Sequence, residues 1–156
     1  MNWYKNKGNE GDIVLSTRVR LARNITEYPF PARLDETQKR DIGNIVKDIL
    51  DSDNSFALRF IDMSTLSSAE TVSLAEKHLI SPEFACDTIG RSLLLSSDED
   101  ISIMICEEDH IRIQTVYPGL SLEEAFETAL KIDTILEDKL SYAFDESLGY
   151  LTQCPT

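Results

Sequence analysis

Arg18 and Arg20 stand two residues apart in the run Ile13-Val14-Leu15-Ser16-Thr17-Arg18-Val19-Arg20-Leu21-Ala22. On a strand, that spacing puts both guanidinium groups on one face, about 7 Å apart at the backbone. Guanidinium forks match phosphate oxygens with paired, charge-assisted hydrogen bonds, which a lysine cannot copy. The same pattern also describes a solvated strand edge whose arginines pair with acids. A second segment, Glu107-Glu108-Asp109-His110-Ile111-Arg112, sets three carboxylates between apolar stretches. It describes a hydrophilic hairpin turn, and equally a carboxylate at a sheet rim that holds a cationic substrate. If the strand runs regularly through the segment, Glu108, His110 and Arg112 share one face. His78, in Glu76-Lys77-His78-Leu79-Ile80, is expected near the end of a helix, where an imidazole favours the negative end of the dipole. Cys106 and Cys154 fit as small apolar residues in strands.

Charge and composition limit the ligands. The chain has 156 residues, 42% of them hydrophobic and 28% charged, with a formal net charge of -13. Such an acidic chain is a poor direct nucleic-acid binder, because counterion release needs clustered cations. Between Asp12 and Glu27 there is no acid, while Arg18, Arg20 and Arg23 all fall there. That local cationic patch is what a small anionic ligand would feel. The three cysteines, Cys86, Cys106 and Cys154, are odd in number and lack metal-site spacing, which suits free thiols in a reducing compartment. No stretch approaches a membrane span and the N-terminus lacks a signal-peptide pattern, so the expectation is a cytoplasmic protein with no membrane partner. There is no Walker A loop, Gly-rich kinase loop, Ser-His-Asp order or metal-ligand cluster.

The elements that must position these residues follow from periodicity. Ile13 to Ala22 alternates as a strand, with Leu15, Thr17, Val19 and Leu21 opposite Ser16, Arg18 and Arg20. Asp35 and Gln38 form a capping box before a helix whose apolar face is Ile42, Ile45, Val46 and Ile49. A short strand is expected around Phe56, Leu58 and Phe60. A second box, Ser67 with Glu70, opens a helix running to about Leu79. Ser92 to Leu95, Ile101 to Ile105 and Ile111 to Val116 are three strands in succession. Ser121 and Glu124 are expected to cap a long helix with Leu122, Ala125, Phe126, Ala129, Ile132 and Leu136 on one face. Leu148 to Thr156 is expected as a further strand that stops abruptly, as in a segment cut from a longer chain. With no repeat or linker, residues 1–156 form one α+β domain: an antiparallel β-sheet flanked by helices.

Taken in order, three of these segments resemble a known family. Ser16-Thr17-Arg18-Val19-Arg20-Leu21-Ala22-Arg23-Asn24 resembles the phosphate-binding strand of the phosphagen kinases. Glu107-Glu108-Asp109-His110-Ile111-Arg112-Ile113 resembles their acidic motif. Gly149-Tyr150-Leu151-Thr152-Gln153-Cys154-Pro155-Thr156 resembles their reactive-cysteine segment. Glu76-Lys77-His78-Leu79-Ile80-Ser81-Pro82 and Tyr117-Pro118-Gly119-Leu120 resemble the bacterial branch, whose members phosphorylate arginine side chains in proteins. Only fifteen residues precede Ser16, which leaves no room for the separate helical N-terminal domain of the small-molecule kinases.

The resemblance implies the glutamine-synthetase-like catalytic fold of guanidino kinases, represented here by its N-terminal portion and inactive alone. It implies transfer of the ATP γ-phosphoryl group to a guanidinium nitrogen. Ser16, Thr17, Arg18, Val19 and Arg20 would line the nucleotide site, completed on this side by His78 and Arg112. Glu108 would be the catalytic carboxylate, and Cys154 would lie close to the guanidinium. Magnesium would arrive bound through the ATP phosphates, with no protein ligand. The implied partners are ATP and arginine-bearing proteins, among them a stress-response repressor and clients of the Clp protease, with homodimerisation in the full-length form. Cys106 departs from the family, which has asparagine there. Two alternatives stay open: a small-molecule guanidino kinase, and a non-catalytic module that binds arginine or phosphoarginine.

Overall fold

The computed structural model describes residues 2–154. Five strands form one antiparallel sheet: β1 (Ser16–Arg23), β2 (Leu58–Asp62), β3 (Ser92–Ser96), β4 (Ile101–Ile105) and β5 (Ile111–Pro118). Their spatial order is β1-β5-β4-β3-β2, so the successive hairpins β3–β4–β5 sit at the centre and β1 pairs with β5. Four helices pack around them: α1 (Glu36–Asp53), α2 (Ser68–Glu76), α3 (Pro82–Cys86) and α4 (Leu122–Glu137). A small hairpin, β6 (Phe144–Asp145) with β7 (Gly149–Tyr150), follows. The α+β architecture expected from the sequence is the one observed.

Local chemistry starts two of the helices as expected. Asp35 and Ser67 each accept a bond from the backbone amide three residues on, and Gln38 and Glu70 reach back to the cap amides. These reciprocal bonds satisfy amides that a helix start otherwise leaves without partners. α1 then buries Ile42, Val46 and Leu50, and α4 buries Ala129, Ile132 and Leu136, against Leu94, Ile103, Ile105, Ile111 and Ile113 of one sheet face.

The opposite face is divided. Leu93, Leu95 and Met104, from β3 and β4, pack with Met63, Leu79, Ile80 and Phe84 beneath α2 and α3. The β1–β5 part of that face belongs to neither apolar cluster. Register sets what stands there: Arg18 opposite Val116, Arg20 opposite Gln114, and Ala22 opposite Arg112. That part of the face therefore presents Arg18, Arg20 and Arg112 around the buried Gln114 and Val116.

Several expectations are corrected. β1 starts at Ser16 rather than Ile13, because the amides of Ile13 and Val14 both bond to the Glu10 carbonyl in a turn, and Leu15 is left 77% exposed. α2 stops at Glu76, and His78 turns into the left-handed region at φ 59°. Ser121 forms no capping box; its hydroxyl donates to the Pro118 carbonyl, and its backbone at φ -143°, ψ 46° is not cap-like. Leu122 and Phe126 are exposed on α4 instead of joining its buried face. The strand expected over Leu148 to Thr156 amounts to Gly149–Tyr150, and Pro155 and Thr156 lie outside the described residues. α3 was not expected, although Ser81 followed by Pro82 is a legitimate N-cap and N1 pair.

Candidate functional site

Arg18 and Arg20 project from β1 onto the uncovered part of the sheet, and both are exposed. Burial first, then repulsion from Arg18 and Arg112, pull the Arg20 guanidinium below its ordinary value. Arg20 thus lies near enough to Arg18 and to Arg112 to be repelled by both, and an anion placed beside it would relieve that repulsion. Arg23 does not join this patch. Its parity turns it to the other face, where it pairs with the buried Asp133 of α4 at 2.7 Å and lies 3.6 Å over the Tyr150 ring. The patch is Arg18, Arg20 and Arg112, rather than the three arginines of one strand.

The remaining β1 residues play other parts. Thr17 is buried; its hydroxyl donates to the Gly119 carbonyl at 2.6 Å and accepts from the Ser121 amide at 3.0 Å. Val19 packs against the apolar core. Neither side chain faces the arginines, whereas Ser16 shares their parity.

The acidic segment is a loop, because Cys106 takes φ 61° and its amide bonds to the His110 carbonyl, closing the turn between β4 and β5. The strand does not run through it, so the shared face expected for Glu108, His110 and Arg112 does not form. His110 is fully buried: Nδ1 accepts from the Ile25 amide at 2.9 Å, which leaves Nε2–H to donate to the Pro29 carbonyl at 2.7 Å. Burial holds its pKa below the ordinary value.

The two glutamates diverge. Glu107 is buried, accepts from the Ser81 hydroxyl at 2.8 Å and pairs with Arg112 Nη1 at 2.8 Å. Glu108 keeps 42% of its side chain exposed and reaches Arg112 Nη2 at 3.3 Å. Arg112 therefore links the cationic patch to the carboxylates. Glu108 and Arg112 line a cavity of ≈ 600 Å³ together with Lys39, Arg91, Glu107 and Gln153. Such a mixed lining can seat an ion pair: a cation on Glu108 and an anion toward the arginines.

A buried network ties the three chemical segments together, and the sequence alone gave no sign of it. Asp109, 2% exposed, accepts from Asn24 Nδ2 at 2.7 Å and from the Gln153 amide at 2.8 Å. Asn24 also donates to the Leu151 carbonyl at 3.0 Å and accepts from the His110 amide at 2.9 Å. The end of β1, the acidic loop and the segment carrying Cys154 thus meet at one carboxylate. Cys154 is half-buried beside Gln153.

His78 stands apart from Glu108, on the α2–α3 connection. Its carbonyl accepts from Gln114 Nε2 at 2.8 Å, and Gln114 is the register partner of Arg20. Among the described residues, no group of three or more His, Cys, Asp or Glu is placed to hold a metal ion. Nor is any described helix long and apolar enough to cross a membrane.

Comparison with known proteins supplies the context. The family model described as ATP:guanido phosphotransferase, C-terminal catalytic domain, matches residues 41–156, beginning within α1. The protein-arginine kinase of Brevibacillus brevis is 46% identical over 158 residues, covering 99% of this chain and 44% of that protein. Those of Halothermothrix orenii and Clostridium acetobutylicum are 46% and 42% identical, each over 99% of this chain. The chain spans less than half the length of these curated relatives. Among solved structures, the substrate-free duplicated taurocyamine kinase of Schistosoma mansoni superposes with a TM-score of 0.80 at 22% identity, over 99% of this chain and 24% of that one. A lombricine kinase gives 0.70 at 18% identity, over 90% of this chain and 43% of that one. At those identities the two structures speak for the fold.

Proposed function

The chain belongs to the ATP:guanido phosphotransferase family, and on that premise we propose that it is the N-terminal part of a protein-arginine kinase catalytic domain. The observation that carries this reading is the bridge made by Arg112, which stands opposite Ala22, the next residue of that face after Arg20, and bonds to Glu108. A phosphate site and a guanidinium site then adjoin.

In this reading Arg18, Arg20 and Arg112 receive the phosphates of ATP, with His78 and the backbone of Ser16 to Arg20 completing this side of the nucleotide site. A guanidinium cation has no available lone pair, since its pKa lies above about 12. Glu108 holds the substrate arginine through paired N–H bonds and takes one proton as the nitrogen attacks the γ-phosphorus. The N–P bond forms as the P–O bond to ADP breaks. The arginines offset charge on the transferred group. Magnesium would come as a companion of ATP, bound through phosphate oxygens and water, since no carboxylate cluster among the described residues is placed to hold it. Cys154 lies beside the guanidinium.

The whole protein's substrates are then arginine-bearing proteins, a stress-response repressor and Clp-protease clients among them. It acts in the cytoplasm, with homodimerisation in the full-length form and the present segment inactive alone. The test is Glu108→Gln in the full-length enzyme that carries this segment. Phosphoryl transfer to protein arginine should fall at least about 100-fold with ATP affinity retained. Unchanged transfer would remove Glu108 from the chemistry. Transfer to free arginine alone would point to a small-molecule kinase.

A further inference from the structure

Trp3, the one tryptophan of the chain, is bound to the corner that carries His78. Its indole Nε1 donates at 3.0 Å to the carbonyl of Lys77, the C-cap residue of α2. Its ring lies 5.5 Å from the His78 imidazole, tilted by 58°. Tyr4 stacks edge-on against Trp3 at 5.8 Å, and its hydroxyl donates to Glu99. Glu99 in turn pairs with Lys77 at 2.8 Å. The N-terminal segment thus closes on the α2–α3 corner through two aromatic rings and an ion pair.

His78 is held in an unusual way. A residue with a Cβ rarely adopts φ 59°. Here the conformation is fixed by the bond from its amide to the Ala75 carbonyl at 2.9 Å and the bond from Gln114 to its own carbonyl. The backbone is therefore pinned, and Gln114 ties it to the strand position opposite Arg20. The imidazole itself is exposed, and an exposed side chain samples several rotamers. Trp3 packs against it and removes those that point away from that ring.

We propose that Trp3 is a positioning residue for His78, so that the N-terminal segment sets the nucleotide affinity of the arginine face. This rests on the assignment of that face and of His78 to ATP. Trp3 touches no reacting atom; it acts through the histidine.

Two measurements test it. The first is the emission of Trp3 in the full-length enzyme, read as the difference between the native protein and Trp3→Phe. A ring packed on the indole keeps water from it, so His78→Gln should shift that emission to longer wavelength. An emission unchanged by His78→Gln would overturn the contact.

The second is ATP-magnesium affinity by calorimetry in the full-length enzyme, for Trp3→Ala, His78→Ala and the double variant, with Trp3→Phe and Arg18→Ala alongside. Each single alanine variant should weaken binding about three- to tenfold, with the double variant no weaker than His78→Ala, because both act through one ring. Trp3→Phe, which keeps a ring and the fold, should recover part of the loss. Additive effects, or normal affinity in Trp3→Ala, would overturn the proposal while a loss in Arg18→Ala kept the nucleotide site. Normal affinity in both His78→Ala and Arg18→Ala would overturn the proposal together with the assignment of the face.

Discussion

Cys106 and Cys86 are both free thiols with opposite surroundings. Burial pushes the Cys106 thiol up to about 12, whereas Cys86 is exposed at the end of α3. The reactive species is the thiolate, so Cys106 should be inert in the folded state. An aromatic disulfide reagent at pH 8 should modify Cys86 promptly and Cys106 only in denaturant. Rapid labelling of Cys106 under native conditions would contradict its packing. The left-handed backbone at Cys106 is one that asparagine tolerates better than most residues. His110 gives a second residue-scale expectation. Its native pKa is depressed by burial below the ordinary 6.5, so between those two values the unfolded chain binds the extra proton. Stability from this group is complete above pH 6.5 and is lost as pH falls toward the native pKa. The slope, bounded by about 1.4 kcal/mol per pH unit for one proton, is measured by urea unfolding. His110→Asn, although less stable overall, should lose that slope; an unchanged slope would assign it to other groups.

At the scale of elements, legibility followed distance along the chain. Both capping boxes at Asp35 and Ser67 formed as expected because cap and partner lie three residues apart. The strands of the central hairpins were equally plain in their apolar runs. The Ser121 box failed because tertiary partners intervened: Thr17, over a hundred positions earlier, takes the Ser121 amide. Leu15 and Ile13 looked like strand because only their own alternation was visible, not the turn at Glu10 that precedes them. Gly43 shows what local rules cannot reveal. It lies in the middle of α1, where alanine has the better helix propensity by about 1 kcal/mol. A Cβ there, however, would collide with the Ser92 hydroxyl of β3. Gly43→Ala should therefore destabilise the protein by about 1–3 kcal/mol, as overpacking does, despite its helix propensity. Thermal unfolding checks the sign, and an increase in Tm would mean that α1 moves off the sheet at little cost.

For the whole molecule, the fold places its chemistry by covering one sheet face completely and the other only in part. Arg18 and Arg20 were visible in the sequence as a pair, and strand parity alone turns Arg23 to the other face. What the sequence hid is its partner there, Asp133 on α4, 110 positions away. Asp109 was legible only as one more acid in a turn, because its partners Asn24 and Gln153 lie 85 and 44 positions away. It is nevertheless the residue at which all three chemical segments meet. Asp109→Asn keeps the shape but replaces a charged acceptor by an amide, one end of which would face the donors of Asn24 and Gln153. The charge-assisted bonds lost should cost about 1–3 kcal/mol of stability. The more telling effect is local. Freed from the Gln153 amide, the segment carrying Cys154 should detach before the sheet does, since it holds to the rest through few bonds. Hydrogen exchange at Leu151 to Gln153 and alkylation of Cys154 should both quicken in the variant. Exchange in β4 and β5 should change only by the global loss. If the whole sheet loosened equally, Asp109 would be part of the core rather than the clasp between β1, the acidic loop and the cysteine segment.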